Sequence, residues 1–329
     1  AGVESEVAEL YEIGGEPVAL LTAHAEGRVL VVERLRWTRD QRERALVGFL
    51  LDRVVRDALR RGCLAVLFGD RLLTRADAGV LESAGVIALH DGQGVKFVVS
   101  DSARDTAALL EVAEQVASVS PVLAPAVQNL RAASAQAVSS REQLFLERAL
   151  FPSVRSDVPL PCWIVPIRPN YAMELFDDRM RQSMLFPPEG LHSLAFRNVY
   201  YSRAATAWRW PARILWYVSG DAKQPASKAI RAASVLETAH RATARQLSRY
   251  QQLGVYDRAQ LETMASGEDG LIWCLRFSCT RTFDTPISYG WLMEALREEG
   301  VAHANLVGPT EIPHALFLRI FNEGGHAAG

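Results

Sequence analysis

The residues best equipped for chemistry lie between 196 and 219, in FRNVYYSRAATAWRWPARILWYVS. Seven aromatics (Phe196, Tyr200, Tyr201, Trp208, Trp210, Trp216, Tyr217) are interleaved there with four arginines (Arg197, Arg203, Arg209, Arg213). Planar rings offer stacking surfaces and guanidinium groups offer phosphate contacts, the combination that tracks single-stranded nucleic acid. In a strand, Trp208 and Trp210 point to one side with Arg209 opposite, so two indoles could sandwich a base. The competing reading is structural: Tyr and Trp are ordinary strand residues, and buried indoles are hydrophobic bulk whose N–H needs an acceptor.

The charge distribution supports an anionic partner. Residues 141–260 hold 17 Lys and Arg against 10 Asp and Glu, inside a chain of formal net charge −2. A basic middle in an otherwise acidic chain suggests a localised anionic ligand, RNA or DNA. Arg241, Arg245 and Arg249 recur at helical spacing with Lys228 and Arg231 upstream, so they form either a phosphate-tracking stripe or a solvated face.

Other chemistries have thin support. The four cysteines (Cys63, Cys162, Cys274, Cys279) form no CxxC, and no histidine pair has ligand spacing, so no metal site is expected. Scattered cysteines fit reduced thiols and a cytoplasmic setting. No apolar run approaches a membrane span and no charged-then-apolar leader is present. The chain begins at Ala1 rather than Met, which fits removal of a short N-terminal piece.

With 329 residues, two domains are expected. Residues 6–37 read as a three-strand meander turning at Gly14-Gly15 and Glu26-Gly27. A helix follows, with Leu46, Leu50, Val54 and Ala58 on one face and Gly62 as its stop. CLAVLFGD is a buried strand, TRADAGVLESAG a second helix, and VIALHDG with VKFVVS a closing hairpin. The Ala/Ser-rich stretch 101–150 reads as three helices linking two domains, the third opened by Ser139 or Ser140. The rest, 151–329, is punctuated by prolines: CWIVPI is a strand, NYAMELFDDRM a helix and RILWYVS a core strand. RATARQLSRYQQLG is a helix, LIWCLRFSCTRTF a long strand and TPISYGWLMEAL the last helix. The fold class is therefore α/β or α+β, with domains at 1–100 and 151–329 around a linker at 101–150.

The order β-β-β-α-β-α-β-β over residues 6–100 resembles the GCN5-related N-acetyltransferases. That resemblance implies an acetyl-CoA loop at Arg42-Glu43-Arg44-Ala45-Leu46-Val47-Gly48, with Arg42, Arg44, Ala45 and Gly48 receiving the cofactor and Glu33 in the place of a general base. Ala45 and Val47 stand where the family has glycines, and Leu81 where it often has a tyrosine acid, so the expected domain is degenerate. The motifs IVPIRPNYAMELFD, RNVYY, RILWYVS, LGVY and RFSCTRTFDTPIS make 140–329 similar to the PUA-like superfamily, which includes ASCH, EVE and SRA modules; an acetyltransferase-like domain followed by such a module is a bacterial arrangement. This second resemblance implies a small, partly open β-barrel binding RNA or a modified base. The residues expected to form the nucleic-acid surface, read from the aromatic and basic pattern, are Arg197, Tyr200, Tyr201, Arg203, Trp208, Arg209, Trp210, Arg213 and Lys228. Some ASCH members hydrolyse a modified nucleoside with Lys, Thr and Glu; Lys228, Thr238 and Glu237 are present here at a different spacing. Two alternatives stand beside nucleic-acid binding: a working acetyl-CoA-dependent N-acetyltransferase acting on a nucleic-acid-associated acceptor, and a structural or regulatory subunit with an aromatic protein-binding face.

Overall fold

The computed structural model describes residues 7–13, 15–38, 43–69, 81–100, 102–136, 139–175, 197–204, 206–220, 228–247, 250, 256, 258–266, 269–301 and 306–325. The chain divides into two compact units, Ala1–Asp157 and Val158–Gly329. Both combine helices with sheets.

In the first unit, β1 (Val7–Ile13), β2 (Glu16–Glu26) and β3 (Val29–Trp37) form the antiparallel meander. Gly15 and Gly27 turn it at positive φ, where a Cβ would be strained. The helix α1 (Glu43–Arg60) buries Leu46, Leu50, Val54 and Ala58 and packs over β3 and β4 (Ala65–Phe68). A short hairpin of β5 (Ile87–Ala88) and β6 (Gly94–Phe97) closes the sheet in the order β1-β2-β3-β4-β6-β5. Of the second helix expected from the sequence, residues 81–83 are helical and 74–80 lie outside the described residues.

Residues 101–150 are not a linker. After β7 (Ala103–Arg104) come α2 (Thr106–Val119), α3 (Ala124–Ala135) and α4 (Ser140–Leu150), then β8 (Val154–Arg155), which pairs with β7. Their apolar stripes (Leu109, Val116, Leu130, Leu146, Leu150) share one core with Ile87, Val95 and Phe97 of the sheet. The Ala-rich composition that suggests a linker is what allows close helix packing. Three polar contacts fasten the layer. Asp157 accepts hydrogen bonds from the Thr106 backbone and hydroxyl at 2.9 and 2.8 Å. Arg155 pairs with Glu147 at 3.0 Å, both buried. Lys96 places its ammonium on the carbonyls of Arg148 and Ala149, where α4 ends and carbonyls lack helical partners.

The second unit begins with β9 (Cys162–Ile167), α5 (Pro169–Leu175), β10 (Arg197–Ser202), β11 (Ala212–Val218) and β12 (Ala229–Thr243). It continues with α6 (Ala244–Leu247), α7 (Arg258–Met264), β13 (Leu271–Ser288), α8 (Tyr289–Glu298), β14 (Thr310–Ile312) and α9 (His314–Gly325). One six-stranded sheet runs β10-β13-β12-β11-β9-β14. Among the described residues its end strands share no ladder, so there it is a curled open sheet and not a closed barrel. The helix expected from residue 241 starts later: β12 runs on to Thr243 because Arg241 and Thr243 pair with Trp273 and Leu271 of β13. That ladder overrides local helix propensity, and Arg241, ion-paired with Asp269, drops out of the expected basic helical face.

Candidate ligand cleft

Curling of the second sheet brings its separated strands together. Tyr200 on β10 meets Trp216 on β11 edge-on at 5.4 Å, although β13 and β12 stand between them in the sheet. Its hydroxyl continues across and donates to the carbonyl of Pro166 on β9 at 3.1 Å. The polarity of β9 explains why that carbonyl is free. Pro161 and Ile167 present their carbonyls to Arg213 and Ser219, so the alternate residues face away from β11. Ile164 uses that outward side to pair with β14, and Pro166, one step beyond β14, has no ladder partner among the described residues. A proline fits there because no ladder N–H is required of it.

Along this seam lies a cleft of about 560 Å³, within the range of roughly 300–1,000 Å³ typical of ligand pockets. Four tyrosines line it: Tyr171 of α5, Tyr200 and Tyr201 of β10, and Tyr256. Tyr256 is the hub, with ring centroids 4.5 Å from Tyr171, 5.5 Å from Tyr201 and 6.2 Å from Tyr200. Burial pushes the Tyr200 phenol up to about 12 and raises Tyr201 and Tyr256 as well, so all three stay neutral near pH 7. Arg168 and Arg203 also line the cleft, both exposed, and neither has a carboxylate partner among the described residues. Neutral aromatic faces beside uncommitted guanidinium groups suit a planar ring carrying an anionic group.

The ribbon 196–219 is thereby divided. Tyr200, Tyr201 and Arg203 reach the cleft. Trp208 and Trp210 do not share a wet side: Trp208 is 5% exposed and packs on Trp163 at 4.9 Å, whereas Trp210 is 44% exposed. The i, i+2 rule fails because residues 206–211 are not strand. Trp216 is core, its indole N–H donating to Ser234 at 2.8 Å. Arg197 is held by Glu237 at 2.9 Å and Arg209 by Glu311. Arg213 is buried, 5.6 Å from the Phe317 ring and beside His314. Lys228 is exposed at positive φ, its stem against Gly220, outside the cleft lining. Glu237 is also engaged by Arg276 at 3.3 Å, which leaves it poorly placed as a base for Lys228 and Thr238.

Tyr171, Tyr256 and Arg168 were not singled out as site residues by sequence reasoning. The signal was present, since IVPIRPNYAMELFD and LGVY contain all three, but nothing in a linear string joins them to Tyr200.

In the first unit, Glu33 lies 3.3 Å from His24 Nδ1, and His24 is buried with its other nitrogen 3.0 Å from Glu26. Arg42 and the side chains of Arg44 and Ala45 lie outside the described residues. Gly48 is buried in the second turn of α1, so its N–H and that of Val47 are used inside the helix and are not open to a pyrophosphate. Among the described residues no three His, Cys, Asp or Glu side chains form a metal-holding group, and no helix is long and apolar enough to cross a membrane.

No family model matches the sequence, and no curated protein matches it. Solved structures similar in layout include the ASCH protein of Zymomonas mobilis, at 13% identity and TM-score 0.35, covering 48% of this chain and 92% of that one. Human THYN1 in complex with DNA containing 5-methylcytosine gives 10% identity and TM-score 0.31, covering 50% and 98%. The N-terminal domain of Staphylothermus marinus McrB gives 13% and 0.29, covering 51% and 94%. At these identities and scores the likeness bears on no residue of the cleft.

Proposed function

We propose that the second unit binds nucleic acid, RNA or DNA, by taking one nucleotide into the tyrosine cleft. The carrying observation is the Tyr171–Tyr256 platform with Arg168 and Arg203 free at the same cleft. The base stacks on the rings, and the guanidinium groups take the phosphates on either side of it. Stacking on neutral phenols tolerates a modified base, because every base presents a π-face.

Fluorescence anisotropy with labelled single-stranded RNA and DNA over a salt series tests this reading. Tyr171→Ala, at a half-buried position, is expected to weaken binding by about 1–3 kcal/mol. Binding that is absent at low salt, or indifferent to Tyr171→Ala, refutes it. Acetyl transfer by the first unit is the second reading from sequence; α1, already wound at Val47 and Gly48, offers it no support.

A further inference from the structure

The first unit holds a buried histidine flanked by carboxylates. His24 on β2 is 5% exposed, and a glutamate stands at each of its ring nitrogens. Nε2 lies 3.0 Å from Glu26 Oε1, two residues along the same strand. Nδ1 makes no hydrogen bond and faces Glu33 Oε1 of β3 at 3.3 Å, an ion-pair distance. The backbone is shaped for that second contact. Thr22 pairs with Arg34 and Ala23 with Val32, so Glu33 is the extra residue of a β-bulge, a distortion that re-aims one side chain out of the pleat.

Imidazole chemistry makes this arrangement depend on a proton. A neutral ring has one N–H and one lone pair, and either tautomer sets the lone pair against a carboxylate oxygen. The imidazolium carries two N–H groups and attracts both carboxylates. Among the described residues, Glu26 and Glu33 are the charged groups that pair with His24. Val31, opposite it on β3, and Val7, at the near end of β1, are uncharged, and Arg53 of α1 is turned to Glu9 of β1. We propose that His24, Glu26 and Glu33 form a proton-operated clasp between β2 and β3, closed when the ring carries two protons and opened when it loses one. Opening leaves a lone pair facing a carboxylate across the bulge. The β2–β3 ladder is therefore tighter with the imidazolium than with the neutral ring.

Hydrogen exchange of the β2 and β3 amides tests the clasp, read on the full chain from about pH 6 to about pH 8, where histidines titrate. Wild-type protection factors are expected to fall roughly threefold or more as pH rises. Glu33→Gln keeps the side-chain shape without the charge, and its amide can donate to a bare Nδ1, so its protection should stay level with pH. Ring-nitrogen NMR of His24 should show two protonated nitrogens where protection is high and one where it is low. A level wild-type profile, or a fall of the same size in Glu33→Gln, overturns the clasp. If Glu33→Gln does not fold, Glu26→Gln, at a side chain 65% exposed, takes its place. It should make the fall shallower, and an unaltered fall there overturns the clasp equally.

Discussion

The Tyr200 hydroxyl donates to the Pro166 carbonyl at 3.1 Å, joining two strands that the sheet order places four apart. Beside it the Tyr256 ring stands 6.2 Å from the Tyr200 ring. One side chain therefore closes the seam that the backbone ladder leaves open, and it does so on the wall of the cleft.

Removing that hydroxyl separates closure from packing. Tyr200→Phe keeps the ring against Trp216 but leaves the Pro166 carbonyl without its donor. The expected cost is about 1.5 kcal/mol, read as a lower urea midpoint of the second unit. A midpoint unchanged from wild type would show that the seam is held by side-chain packing alone.

Alkaline pH should weaken the same seam. Phenols of the unfolded chain ionise near the ordinary value of 10.0, and burial raises Tyr200 to about 12. A raised pKa gives stability that is whole below pH 10.0 and is lost as pH climbs through 12. The urea midpoint should hold up to about pH 9 and then fall, with Tyr200 contributing roughly 2 kcal/mol of the loss. Tyrosinate absorbance should lag behind that of free tyrosine, and Tyr200→Phe should shallow the fall.

The arginines should behave as two sets. Arg168→Ala and Arg203→Ala are each expected to reduce the salt slope of nucleic-acid binding by about one. Arg209→Ala should leave it unchanged, since that guanidinium is held by Glu311. Arg197→Ala should also spare binding while costing about 2 kcal/mol of stability, because the buried Glu237 keeps fewer partners. Equal effects across all four would mean a diffuse basic surface in place of a cleft.

In the first unit the sensitive position is Gly85. It sits at φ +77, and a Cβ there would lie 2.0 Å from the Arg148 carbonyl oxygen. Gly85→Ala is expected to cost more than about 3 kcal/mol in urea unfolding. Gly62→Ala has similar φ but open space around it, so its cost should stay near 1–2 kcal/mol. Equal losses at the two positions would mean that the close approach to α4 is not what constrains Gly85.

Local patterns in the sequence determined much of the skeleton. Gly15 and Gly27 between alternating runs placed the meander, the Leu46–Ala58 periodicity placed α1, and Ser139 placed the cap of α4, because each is governed by neighbours a few residues away. Contacts across the chain decided the rest. The helices of 101–150 joined the first core because their apolar stripes met Val95 and Phe97, a match no linear pattern reports. Trp208 went inside and Trp210 outside because both precede β11, which starts at Ala212, and lie on no strand. The cleft itself is a product of sheet curvature: Arg168, Tyr171, Tyr200, Arg203, Tyr256 and Val307 are scattered along the sequence and meet only where the curled sheet brings separated strands together.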